Sequence, residues 1–170
     1  MAPISAVEEP RVVVGVRDSD AARWALAWAI GEARLRRAPL LVVHVAPMPY
    51  NAGVAIGGAL PDVIASARTS GWALVGRLLD EVAGDALSDV RLRMLPLVGD
   101  AARTLVDLAR EGDLLVVGVE SHGLVSRLIH PSVRRYCARH ARATFTCVRP
   151  PAVDSPAWSL TGTERGRVID

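Results

Sequence analysis

The sequence predicts an α/β fold in which a parallel sheet is covered by helices on both faces. Short β-branched runs alternate with segments of helical period along the chain. Two of those runs, Leu40-Leu41-Val42-Val43 and Leu114-Leu115-Val116-Val117, are apolar throughout, as strands buried on both faces must be. Strands separated by helices need crossover connections, which place the strands parallel and the helices in outer layers.

The first strand is Arg11–Val16, followed by Asp18, Ser19 and Asp20, which are good N-cap residues and place negative charge at a helix start. A helix over residues 20–37 carries Ala22, Leu26, Ile30 and Ala33 at helical spacing, and Pro39 stops it. Leu40–Val45 is the second strand. Residues 47–61 hold three prolines and three glycines and read as a loop. A second helix over 62–84 carries Val63, Ala67, Leu74, Leu78 and Val82, although Gly71 and Gly76 each cost it about 1 kcal/mol against alanine. Val90–Val98 is the third strand, and Pro96 directs it to a sheet edge. Asp100 caps a third helix reaching Glu111, with Leu105, Leu108 and Ala109 along its apolar line. Leu114–Gly118 is the fourth strand, and Pro131 suits the first position of a short helix over 132–139. That helix has Val133, Tyr136 and Cys137 on one side and Arg134, Arg135 and Arg139 on the other. Ala143–Val148 is a fifth, edge-like strand. The polar tail beyond Pro151 holds Trp158 and is either disordered or docked through that side chain.

Composition narrows the function. The chain has 170 residues, 51% of them apolar, with a mean hydropathy of +0.27, enough for one cored domain. Twenty basic residues against eighteen acidic ones leave a net charge of +2, which argues against a dedicated nucleic-acid binder. All the basic residues are arginine, so a Walker A loop and Schiff-base chemistry are excluded. Two cysteines, Cys137 and Cys147, build neither a disulfide framework nor a four-cysteine zinc site, and both read as small core residues. No apolar run is long enough for a membrane span, and no secretory signal is visible, so a cytoplasmic location is expected.

In doubly wound sheets, ligands sit beyond the carboxyl ends of the strands where the order reverses, which directs attention to residues 17–19 and 119–132. His44 and His122 can approach that crevice, His130 precedes a helix start, and His140 lies at a helix end; their spacing matches no metal site. Ser121-His122 is an adjacent pair with no orienting third group, which is poor geometry for a nucleophile and its base. No Gly-x-Ser-x-Gly elbow and no Gly-x-Gly-x-x-Gly turn is present. Trp24 and Trp28, four apart, share a helix face and are expected to pack against the sheet or a neighbour.

Four stretches together resemble the universal stress protein family: residues 12–19, 41–45, 113–118 and 132–141, in the family's order and spacing over about residues 10–150. The resemblance implies a three-layer, doubly wound, five-stranded parallel sheet in the order 3-2-1-4-5, of the adenine nucleotide alpha hydrolase-like type. It implies a domain over 10–150 with flexible or loosely docked tails at 1–9 and 151–170, and a homodimer paired through the last strand. Many family members bind ATP through Gly, two residues, Gly, nine residues, Gly and a hydroxyl, because glycine lets backbone N–H groups approach phosphates. The equivalent nucleotide-binding positions here are Gly15, Val16, Arg17, Val45, Gly118, Ser121, Ser132 and Val133.

Several of those positions depart from the pattern. Ser121 stands at the second glycine position and Pro131 at the third, while Arg17 stands where the family places an aspartate. Proline has no N–H to offer, and hydrogen bonds to charged groups are worth about 1.5–3 kcal/mol each, so losing one or two weakens a nucleotide by roughly tenfold to several-thousandfold. The expected function is a binding or signalling protein with a degenerate ATP motif, no enzymatic turnover, and weak or absent nucleotide binding. The alternative is an ATP-binding member with an altered phosphate loop. Arg17 and Glu120 follow neighbouring strands and either pair across the crevice or stand as two separate solvated side chains. Likewise, Arg17, Arg127, Arg134 and Arg135 either converge on an adenine nucleotide or other anion, or form a basic surface. No metal, nucleic acid or membrane partner is expected.

Overall fold

The computed structural model describes residues 9–48, 60–119 and 133–151. Its elements are β1 (Val12–Val16), α1 (Asp20–Arg36), β2 (Leu40–Ala46), α2 (Leu60–Ala83), β3 (Leu92–Val98), α3 (Ala101–Leu108), β4 (Leu114–Gly118), α4 (Val133–His140) and β5 (Thr144–Val148). The five strands form one parallel sheet in the order β3-β2-β1-β4-β5, the order the family resemblance implies.

α1 and α2 cover one face, packing Ala25, Leu26, Ile30, Val75 and Leu78 on Val12, Val14 and Val42. α3 and α4 cover the other, where Leu105 and Cys137 meet Val13, Val43, Leu115 and Val117. Alternate residues of one strand therefore serve opposite layers. α1 meets the sheet along an alanine-rich stripe, Ala21, Ala22, Ala25, Ala29 and Ala33, so the helix lies close and leaves no room for a large ring beneath it. Trp24 and Trp28 fall off that stripe. They point outward with 48% and 36% of their surfaces exposed, which sets aside packing against the sheet and leaves the expected alternative, a neighbour.

Ser19 caps α1 by accepting from the Ala22 N–H at 3.3 Å, and Asp100 caps α3 by accepting from Arg103 at 2.8 Å. α3 ends at Leu108 rather than Glu111 because Ala109 is already extended and Gly112 takes a positive φ of 90°. In α2 the buried residues are Gly71, Val75, Leu78 and Leu79; of the line the sequence predicts, Leu78 is buried and Leu74 and Val82 pack half-buried on the core, while Gly71, Val75 and Leu79 were not on it. Gly71 explains the difference. A Cβ there would stand 2.7 Å from Pro96 Cβ and 3.1 Å from His44 Cδ2, so this glycine lets α2 close on β2 and β3. Gly76 meets nothing within 4 Å. Gly76→Ala is therefore expected to stabilise the protein by about 0.5–1 kcal/mol, whereas Gly71→Ala destabilises it, as urea denaturation of the two variants will measure.

At the amino end of the strands, Asp113 is 3% exposed and gathers the start of β1 and the turn before β4. It accepts from the Arg11 N–H at 2.8 Å, from Arg11 Nη2 at 2.6 Å and from the Arg110 N–H at 3.0 Å. Arg11 Nη2 also donates to the Leu108 carbonyl at 2.9 Å, tying in the end of α3. Burial pushes the Asp113 pKa up, but the hydrogen bonds from Arg11 and Arg110 outweigh it and hold the carboxyl below its ordinary range.

Candidate functional site

The chain runs from β1 outward to β3 and then returns to β4, so the order reverses between β1 and β4, which pair from Val12↔Leu114 to Gly15↔Val117. The carboxyl ends of these two strands frame the switch point. Of the residues the sequence assigns to it, Gly15, Val16, Arg17, Val45, Gly118 and Val133 are described; Glu120, Ser121, His122, Arg127, His130, Pro131 and Ser132 lie outside the described residues. The Arg17–Glu120 pairing falls outside them for the same reason, as does the tail with Trp158.

The described residues line the switch point with protein packing. Gly118 ends β4 directly beneath the first turn of α1, and a Cβ on it would sit inside the Ala21 carbonyl and only 2.8 Å from the Ala22 nitrogen. Gly15 is covered from the other layer, where a Cβ would come within 2.7 Å of Leu105 Cδ1. Val16 is buried in the α1–α2 layer, and Val45 and Val133 pack on the α3–α4 layer. Arg17 is exposed.

Next to Arg17 stands Asp18, whose role the sequence reading missed. Its carboxylate accepts from Arg23 Nη2 at 3.0 Å and from Arg77 Nη2 at 2.8 Å. Arg23 Nε donates onward to Glu81 at 2.8 Å. The four side chains pin α1 to α2 at the mouth of the sheet. The Arg23 hydrogen bond above all, aided by the charge of Arg77, holds the Asp18 carboxyl below its usual range. The Arg77/Glu81 spacing on one helix was the only visible hint; the link to Asp18 spans 59 residues and depends on how the helices cross.

His44 lies inside β2, two residues before its end, and its Nδ1–H donates to the Val16 carbonyl at 3.0 Å. His140 at the end of α4 donates to the Tyr136 carbonyl at 2.9 Å and stacks on the Tyr136 ring, their centroids 4.2 Å apart. Among the described residues no group of three His, Cys, Asp or Glu could hold a metal ion. Cys137 is fully buried, and burial pushes its thiol up to about 11, consistent with a small core residue. Cys147 is exposed on β5, correcting its expected place in the core: it lies on the outermost strand of the sheet, past the cover that α3 and α4 give Phe145. Arg134 and Arg135 are likewise exposed on α4. Two surface grooves among the described residues lie elsewhere. One of about 350 Å3 runs between the end of α1 and residues 89–91, and one of about 590 Å3 lies along the first half of α2.

The profile of the Universal stress protein family matches residues 10–149. The chain belongs to that family. Universal stress protein Rv2623 of Mycobacterium tuberculosis is 32% identical over 141 residues, which cover 81% of this chain and 46% of that protein. The chain thus spans about half the length of the curated relatives it matches. Among solved structures, the universal stress protein UspA from Lactobacillus plantarum is similar with a TM-score of 0.60 at 20% identity, over 83% of this chain and 98% of that one. A universal stress protein solved in complex with cAMP has a TM-score of 0.57 at 23% identity, over 83% and 97% of the two chains. The universal stress protein from Archaeoglobus fulgidus in complex with dAMP gives 0.52 at 23% identity, over 82% and 97%. These likenesses establish the universal stress protein fold, with its sheet order and helical layers. No described helix is long and apolar enough to cross a membrane.

Proposed function

We propose that this universal stress protein acts as a binding or signalling module without enzymatic turnover, and that its switch-point crevice takes an adenine nucleotide weakly or not at all. The observation that carries this reading is the packing of Gly118 against the backbone of α1: the space left by the absent side chain is occupied by the protein itself. The departures in the motif point the same way. Pro131 has no N–H for a phosphate, and Ser121 carries a Cβ where the family has glycine. The carboxylate after β1, Asp18, is engaged by two arginines instead of being open to a ribose or a metal ion.

A second reading, an ATP-binding member with an altered phosphate loop, draws support from the relatives solved in complex with cAMP and dAMP. Isothermal titration with ATP and magnesium separates the two. The expected result is no saturable heat at micromolar protein and no nucleotide released when purified protein is denatured; a micromolar Kd favours the second reading. As part of the first reading, two copies of the chain pair through β5 in the cytoplasm.

A further inference from the structure

The turn that ends α1 borders a groove of its own, where the chain enters β2 and β3 at the amino end of the sheet, remote from the switch point. Its volume is about 350 Å3, at the small end of what ligand sites enclose. The floor is apolar: Ala33 is buried, and Ala38 and Val90 pack half-buried on the core. Around it stand the guanidinium groups of Arg34, Arg37 and Arg91 and the Asp89 carboxylate.

Two of those three positive charges are matched. Arg34 donates to Asp89 through Nε and Nη2, each at 3.1 Å. Arg91 Nη1 donates to Glu9 at 2.8 Å. Arg37 has no ion pair among the described residues, so the groove keeps one positive charge over. The carbonyls ending α1, which would repel an anion, are already engaged. Ala33 accepts from the Ala38 N–H at 2.9 Å and Arg34 from the Arg37 N–H at 3.1 Å, while the Arg37 carbonyl accepts from Arg91 Nη2 at 2.9 Å.

Arg37 is held there against its own preference. It is the one non-glycine residue of positive φ among the described residues, at 53°. The bonds from Arg37 and Ala38 back into the helix make a Schellman ending, in which this position is usually glycine. A glycine would close α1 without the left-handed strain, and strain of this kind gathers at ligand sites. What arginine adds to the turn is a guanidinium at the rim of the groove.

We propose that this groove binds a small carboxylic acid as its monoanion, the carboxylate forked by Arg37 and a flat apolar body lying over Ala33, Ala38 and Val90. Arginine meets a carboxylate with two parallel N–H donors, and its plane also stacks on an aromatic ring. The single excess charge matches a monoanion, and Asp89 on the rim opposes a ligand carrying two negative charges or more, such as a phosphate.

Titration of the nitrogen-15-labelled full chain with sodium benzoate, followed through its amide NMR signals, tests the site. Benzoate at millimolar concentration is expected to shift the Arg37, Ala38 and Val90 amides saturably. Its neutral counterpart benzamide and inorganic phosphate are expected to bind about tenfold or more weakly, the loss of one hydrogen-bonded charge pair. Arg37→Gln, which keeps most of the side chain without its charge, is expected to lose benzoate affinity by a similar factor. Arg37→Gly is expected to lose it too, yet to unfold in urea no earlier than wild type, because glycine relieves the strain. Benzoate that saturates none of these amides, or Arg37 variants that bind it as wild type does, overturns the site. Phosphate binding there as tightly as benzoate overturns the carboxylate assignment, and an Arg37→Gly variant that unfolds earlier than wild type overturns the reading that arginine is kept there for a ligand.

Discussion

Replacing Asp113 with alanine lowers the melting temperature by roughly 6–12 °C, given that the loss of one partner of a largely buried ion pair costs about 3 kcal/mol and that a domain of this size loses about 2–4 °C per kcal/mol. The substitution leaves Arg11 facing a vacant site and removes the acceptor of two backbone N–H groups, so the start of β1 and the turn before β4 come loose together. The same carboxylate makes stability depend on pH. Its folded pKa lies below the unfolded value of about 3.9, so its contribution is complete above that value and disappears as pH falls through the folded pKa. The gap between wild type and Asp113→Ala, followed by far-ultraviolet circular dichroism, accordingly narrows with acidification below about pH 4. A variant that melts within 2 °C of wild type at pH 7 would show that the Arg11–Asp113 contact does little for the fold.

Gly118→Ala is expected to cost about 3 kcal/mol, the upper end for overpacking, because the obstacle is helix backbone and not the end of a flexible side chain. To admit the methyl group, the first turn of α1 must lift from β4, which disturbs the Ser19 cap and the Asp18 contacts to Arg23 and Arg77. Denaturant titration reads the loss directly. The experiment also separates two reasons for a glycine at this position. If it serves only the approach of a phosphate, Gly118→Ala unfolds with the wild type and differs only in ligand binding. If it serves α1, the variant is destabilised with no ligand present.

The layers of this fold were legible because strands buried on both faces leave unbroken apolar runs, and because Pro39 and Asp100 punctuate the chain between them. The edge position of β3 was legible from Pro96 alone. The contents of the switch point were not. Gly118 and Ala21 are 97 positions apart, and no local pattern tells whether a glycine makes room for an anion or for a helix. Asp18 reads as one more acid before a helix until the crossing of α1 and α2 brings Arg77 to it. Trp24 and Trp28 left sheet and neighbour both open for a related reason. Their spacing fixes that they share a face, but only the alanine stripe beside them decides that the face is the outer one.

The proline in β3 has a consequence for how far assembly can proceed. A sheet with two receptive margins adds copies head to tail without limit, whereas one that is receptive on a single side closes after one addition. Pro96 lies on the margin remote from β5, so a joined pair would present a proline-bearing strand at both of its outer limits. Pairing of copies through β5 would therefore stop at two members, leaving no receptive margin from which a fibre could grow.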